Sequence, residues 1–161
     1  MEQASIKERN NTVNDQLSNR QHWMSTMAKS CSQLLHALSD NLIDESQFET
    51  IRAPEIGLTQ VRARMGGTGS PFNLGDMTIT RCVVRSTAGH YGYSYIAGRD
   101  KAHALRAAQL DAVLQTDSNS TLINEQVVRP LENQLQHLQQ QKTAETSATK
   151  VNFFTLVRGE D

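Results

Sequence analysis

Trp23, Met24, Met27, Cys31, Leu34, Leu35 and Leu38 recur at steps of three and four, the spacing that gathers apolar side chains on one face of a helix. The pattern predicts a helix from Arg20 to Leu38, closed by the polar run Ser39-Asp40-Asn41. Residues 1–19 are rich in Asn, Gln, Ser and charge, too polar to bury surface of their own, and read as a flexible tail. Beyond the helix the period shortens toward two. Phe48 to Arg52 alternates imperfectly and stops at Ala53-Pro54, where proline disfavours continued pairing. From Ile56 to Met65, Val61, Ala63 and Met65 fall on one face and Gln60, Arg62 and Arg64 on the other. After the turn-prone Ser70-Pro71 and Gly75-Asp76, Met77 to Ser86 is rich in Thr, Ile and Val, and His90 to Ala97 sets Tyr91, Tyr93 and Tyr95 on one face. Short connections between these segments favour an antiparallel meander of about four strands.

Helical spacing then returns. Asp100, after Gly98-Arg99, is the expected N-cap of an alanine-rich helix from Lys101 to Gln115 whose Leu105, Leu110, Val113 and Leu114 form a broad apolar face. A polar turn at Asp117 to Ser120 leads into Leu122, Ile123, Val127, Val128, Leu131, Leu135 and Leu138, again at helical steps. Pro130 either starts the second half of this run or kinks a longer helix. Gln139 to Lys150 reads as a fraying helix end or a linker, and Val151 to Val157 as a terminal strand or docking segment. Helix, then strands, then helices, with no strand–helix alternation, is the order of an α+β fold: an antiparallel sheet with an N-terminal helix and C-terminal helices packed on it. Residues 20–161 are expected to form one such domain.

Composition adjusts this picture. A chain of 161 residues with 37% hydrophobic and 5% aromatic content builds a thin core, as expected of a marginally stable monomer or of a subunit that completes its burial against partners. A formal net charge of −1 provides no global field for nucleic acid or an anionic membrane, so any anion site is local. Cys31 and Cys82 have neither CxxC spacing nor a neighbouring His cluster, which argues against a disulfide framework or a zinc site. His22, His36, His90, His103 and His137 are scattered, and no Ser, Cys or Asp falls into a triad or carboxylate pair. No catalytic residue and no metal ligand is assigned. With no apolar stretch of signal or membrane-span length, the expected location is the cytosol.

The stretch with most chemical content is Arg62-Ala63-Arg64-Met65-Gly66-Gly67-Thr68-Gly69, an alternating strand with two guanidinium groups running into three glycines. One reading is an anion-binding concavity of exposed amides, with Arg62 and Arg64 as bidentate donors to phosphate or phosphonate oxygens. The other is a connection between neighbouring strands that needs positive φ. It is neither a Walker loop nor a dinucleotide fingerprint. The tyrosine stripe likewise offers either a partner-binding surface or a packing face for the helices, with packing expected for part of it. Arg81 and Arg85 interrupt an otherwise apolar alternation and call for partners.

Arg20-Gln21-His22-Trp23-Met24, Ile51-Arg52-Ala53, Arg62 through Gly69, Gly75-Asp76, Thr80-Arg81, Gly92-Tyr93-Ser94, Gly98-Arg99-Asp100-Lys101 and Phe153 through Gly159, in this order, resemble the G subunit of the bacterial carbon–phosphorus lyase core complex. The resemblance implies a non-catalytic, structural or site-shaping component of a cytosolic assembly with the H, I and J subunits and the associated ATP-binding K and L proteins. With the H, I and L proteins, such a subunit is required for methylphosphonate to displace adenine from ATP, giving ribose 1-methylphosphonate 5-triphosphate; the J subunit later cleaves the carbon–phosphorus bond. It implies no cofactor bound by this chain. Arg62, Arg64, Gly66, Gly67, Thr68, Gly69, Arg99 and Asp100 are the candidates for contact with substrate or a neighbouring subunit. An independent phosphate-binding enzyme using the glycine loop, or a small scaffold module, are the alternatives.

Overall fold

The computed structural model describes residues 17–149. Two helices, α1 (17–29) and α2 (Ser32–Ser39), precede a three-stranded antiparallel sheet of β1 (Phe48–Arg64), β2 (Pro71–Ser86) and β3 (Tyr91–Ala97), in the order β1-β2-β3. Then come α3 (Lys101–Leu114), α4 (Asp117–Ile123), a π-helical turn at Asn124–Val128 and α5 (Arg129–Ala148). The class is α+β, as expected.

Three strands replace the expected four. Ala53-Pro54 does not end a strand, because β1 lies at the sheet edge, where a residue without an N–H forfeits no ladder bond. The chain absorbs the proline through register shifts at Thr50/Arg52 and Arg52/Glu55, and the two expected strands become one of 17 residues. Ser70-Pro71 and Gly75-Asp76 are likewise not both turns: β2 already starts at Pro71, and Gly75-Asp76 sits beside a bulge opposite Val61/Arg62.

The helical expectations need three corrections. The single helix from Arg20 to Leu38 is two, broken at Ser30, whose hydroxyl donates to the Met27 carbonyl at 2.7 Å and offers the backbone an alternative to the next turn. Residues 17–19 are already helical instead of part of a tail; the rest of that tail, residues 1–16, and the expected terminal strand Val151 to Val157 lie outside the described residues. Asp117 to Ser120 opens α4, with Thr116 at the N-cap position. Of the two readings of Pro130, the longer distorted helix is found. The Arg129 N–H reaches five residues back to the Asn124 carbonyl, widening the turn just before the proline enters the first turn of α5.

α3 lies at the centre. Ala104, Ala107, Ala108 and Ala112 let it approach the sheet closely, over Thr80, Cys82 and Val84 of β2 and Ser94 and Ile96 of β3. Gly92 is the tightest point: a Cβ there would stand 1.9 Å from the Ala108 carbonyl oxygen. The other side of α3 packs against α2 and α4, with Leu35 and Ile123 in the same buried cluster, so it is buried nearly all round, and several of its polar side chains are bonded there. His103 contacts the Met27 carbonyl at 2.9 Å, and Arg106 donates to Asp40 at 3.0 Å. Burial of this kind pushes the Cys82 thiol above its ordinary pKa, chiefly by desolvation.

Candidate functional site

Beyond Ile79, the last β2 residue before Thr78 that still pairs with β3, β1 and β2 continue alone as a two-stranded arm. Arg62 and Arg64 lie near its tip on one face, both exposed. The loop that follows closes on itself. The amides of Thr68 and Gly69 both donate to the Met65 carbonyl, the latter at 3.0 Å, and Arg64 Nη1 donates to the Gly69 carbonyl at 3.3 Å. Gly66 and Gly67 have φ of 60° and 81°, and a Cβ on Gly69 would lie 2.7 Å from the Met65 oxygen. The glycines are therefore explained by positive φ and close backbone approach, and two of the amides that could have cradled an anion are turned inward. Arg62 has no hydrogen bond or ion pair among the described residues.

Arg99 and Asp100 sit at the other end of the arm. The Gly98 N–H donates to the Thr78 carbonyl at 2.9 Å and Thr80 Oγ1 donates to the Gly98 carbonyl at 2.9 Å, which fixes the β3–α3 turn against the arm's base. Asp100 is the N-cap of α3: its Oδ1 accepts the His103 N–H at 2.9 Å, and that bond, then one from the Ser32 side chain, holds its carboxyl below the ordinary range. From Leu58, opposite Thr78, to Arg64, opposite Pro71, the strand rises roughly 20 Å. The structure does not bring Arg62, Arg64 and the glycine loop together with Arg99 and Asp100 in one site.

Two arrangements escaped sequence reasoning. Asp111, fully buried on α3, accepts from Arg20 Nε at 3.2 Å, Arg20 Nη2 at 2.7 Å, Trp23 Nε1 at 2.9 Å and the Tyr93 N–H at 2.9 Å. One carboxylate thus ties α1, α3 and the free edge of β3, and Arg20 also lies over the Tyr93 ring at 5.6 Å. Its companion is a cleft of about 530 Å³ lined by His22, Trp23, Asn124, Glu125, Arg129 and Glu132. His22 Nε2 meets Glu132 Oε1 at 2.5 Å, joining α1 to α5, beside the π turn. A carboxylate-backed imidazole can hold or pass a proton, but this one lies far along the helices from the arm.

The tyrosine stripe also differs from expectation. Tyr91, Tyr93 and Tyr95 are 42%, 38% and 57% exposed, whereas Gly92, Ser94 and Ile96 face α3. The non-aromatic residues pack and the tyrosines do not, because the alanine-lined α3 lies too close for an aromatic ring. Arg81 finds its partner in Glu55 at 2.5 Å, and Arg85 lies over the Tyr91 ring.

Comparison with known proteins places this architecture. The family model described as phosphonate metabolism protein PhnG matches residues 18–159. The chain belongs to the PhnG family. It is 37% identical over 148 residues to the alpha-D-ribose 1-methylphosphonate 5-triphosphate synthase subunit PhnG of Rhizobium meliloti (strain 1021), covering 90% of this chain and 92% of that protein. Several segments that carried the PhnG resemblance prove to be structural. Arg20 and Trp23 hold Asp111, Gly92 admits α3, Thr80 and Gly98 bond to each other, and Asp100 caps α3.

Proposed function

We propose that this chain is a subunit of an alpha-D-ribose 1-methylphosphonate 5-triphosphate synthase in bacterial phosphonate catabolism. The observation that carries the reading is its 37% identity, over nearly the full length of both chains, to a PhnG subunit of that synthase. The reaction transfers a ribose 5-triphosphate unit from ATP to methylphosphonate with release of adenine. The chain acts in the cytoplasm with H and I subunits and the L protein, within an assembly that also holds J and K. No described helix is long and apolar enough to cross a membrane. Its part is to shape the assembly; the reacting groups and any cofactor belong to other subunits. The inward-turned amides of the glycine loop favour this over an independent phosphate-binding enzyme.

The test is genetic and specific. Deletion of this chain's gene from its host should abolish growth on methylphosphonate as sole phosphorus source while leaving growth on phosphate intact, and the gene in trans should restore it. Undiminished growth of the deletion strain on methylphosphonate would overturn the assignment.

A further inference from the structure

The ladder fixes where each backbone group of β3 points. The Ser86 N–H donates to the His90 carbonyl at 2.9 Å and the Gly98 N–H to the Thr78 carbonyl at 2.9 Å, so the even-numbered residues from His90 to Gly98 bond to β2. Tyr91, Tyr93 and Tyr95 therefore turn their N–H and C=O groups outward, to the edge of the sheet. Half of this edge is closed. The Tyr91 carbonyl accepts from Arg20 and Gln115, and the Tyr93 N–H donates to Asp111. The other half is open: the Tyr93 carbonyl and the N–H and carbonyl of Tyr95 have no hydrogen bond among the described residues. Such an edge is a template for one more strand, and natural proteins cover it.

Beside the open half lies a cavity of about 210 Å³ between α1 and β3, lined by Met24, Met27 and Ala28 of α1, Ile96 of β3 and Ala107 of α3. An apolar cavity of about 150 Å³ takes a benzene ring, so this one has room for a phenyl side chain. Unpaired backbone groups next to an apolar pocket are the two halves of strand addition, in which main-chain bonds give affinity and the pocket gives selectivity. The sequence holds a segment that fits both. Val151-Asn152-Phe153-Phe154-Thr155-Leu156-Val157 combines β-branched and aromatic residues and follows the polar run Gln139 to Lys150. Side chains alternate along a strand and the two phenylalanines are adjacent, so either register sends one ring to the helix side, at the cavity, and the other to the open face beside Tyr95.

Position favours the chain's own segment as the occupant. α1 runs beside β3 in the same direction, from Arg20 at Tyr91 to Ala28 at the cavity. α5 runs beside α1 in the same direction, from Glu132 at His22 to Gln139 and Gln140 in a groove with Lys29. The chain leaving α5 is thus toward the Ala97 end of β3, and turning back across α1 lays it antiparallel to that strand. Residues 150–161 extend to about 40 Å, against about 10 Å for the width of α1 and about 13 Å for four residues of strand. Attachment to the same chain gives the segment a high effective concentration at this edge, which a second copy in dilute solution lacks.

We propose that residues 151–157 add as a fourth strand on the open edge of β3 in the same chain, with one phenylalanine ring in the cavity between α1 and β3. This goes beyond the subunit reading and does not depend on it. The added strand bonds to the Tyr93 carbonyl and to both backbone groups of Tyr95, and it seals the edge at which a foreign strand would otherwise pair.

Amide hydrogen exchange on the purified full chain reads the edge directly. The Tyr95 amide should exchange slowly in the wild type, and Phe153→Asp combined with Phe154→Asp should speed it roughly tenfold or more, with the Tyr93 amide, held by Asp111, and the α3 amides unchanged. A photo-crosslinker at position 95 in the otherwise wild-type chain should join residues 151–157 of the same chain, giving a product of monomer mass. Equal Tyr95 exchange in the two proteins, with α3 protected in both, overturns the proposal. A crosslinked product of dimer mass places the segment of a second copy at the edge and overturns it too, as does a crosslink to no residue of 151–157. Should the double variant unfold, seen as lost α3 protection, the crosslink in the otherwise wild-type chain decides. Neither readout uses the other subunits, so failure here leaves the synthase reading standing.

Discussion

Gly92→Ala adds one methyl group at the point where β3 and α3 touch. Its Cβ would stand 1.9 Å from the Ala108 carbonyl oxygen, 2.8 Å from the Ala112 nitrogen and 2.9 Å from the Ala112 Cβ. Two of the three are backbone atoms, so no rotamer change relieves the clash, and α3 must retreat by about 1 Å or more to restore ordinary contact. α3 is packed on its other side as well, and the retreat stretches the 2.9 Å bond from the Tyr93 N–H to Asp111. Overpacking costs about 1–3 kcal/mol, and weakening a hydrogen bond to a buried carboxylate adds about 1 kcal/mol or more, giving roughly 3 kcal/mol. For a chain of this size that is a fall of about 10 °C in melting temperature. Circular dichroism melts of Gly92→Ala beside Gly57→Ala measure it. A Cβ on Gly57 meets nothing within 4 Å, so that control should stay within about 0.5 kcal/mol of wild type. Gly92→Ala melting within about 2 °C of wild type would refute the close-packing argument.

Asp111→Asn should cost about 3 kcal/mol in urea unfolding, because Arg20, Trp23 and the Tyr93 N–H lose the charge they converge on. Trp23 is the single tryptophan in the sequence, so its emission should also change in the folded state; an unaltered spectrum and midpoint would remove the proposed hub. Asp100→Ala should cost about 1 kcal/mol at neutral pH as the cap on α3 is lost. Asp100 has its carboxyl pKa depressed by folding, so its contribution is complete above the ordinary value of 3.8 and disappears as pH falls through the depressed one. Urea midpoints of wild type and variant should therefore converge in strong acid, and a constant gap at all pH values would count against the cap. Gly67→Val forces a β-branched residue into φ of 81° and should loosen the arm tip by about 1–2 kcal/mol, seen as faster amide exchange in the loop alone. Arg64→Lys keeps the charge and should leave exchange unchanged; equal effects of the two would contradict the positive-φ account.

Periodicity was a good guide wherever one face of an element is buried and the other wet. That holds for β3, where alternation placed three tyrosines on one side, and for the helical spacing of Trp23, Met27, Leu34 and Leu35. Which side is inside was not legible, because size normally argues for burying tyrosine. Here the partner is an alanine-lined helix, and a glycine at position 92 fits where a ring cannot. Strand count failed at Pro54 because edge position, a tertiary property, decides whether a proline is tolerated. The Asp100 cap was readable from local chemistry alone. Asp111 was not, since its donors come from residues 18 to 91 positions away and nothing near it marks an acid as buried. In the glycine loop, the positive φ of Gly66 and Gly67 and the Gly69 amide closed on the Met65 carbonyl support the structural reading, a geometry that the residue types alone leave open.

Adenine release from ATP in the presence of methylphosphonate tests the central claim most directly. The purified chain alone should release none, the H, I and L proteins without it should form no ribose 1-methylphosphonate 5-triphosphate, and adding the chain should restore product in proportion to the complex formed. Full synthase activity in its absence, or adenine release by the chain on its own, would contradict the account.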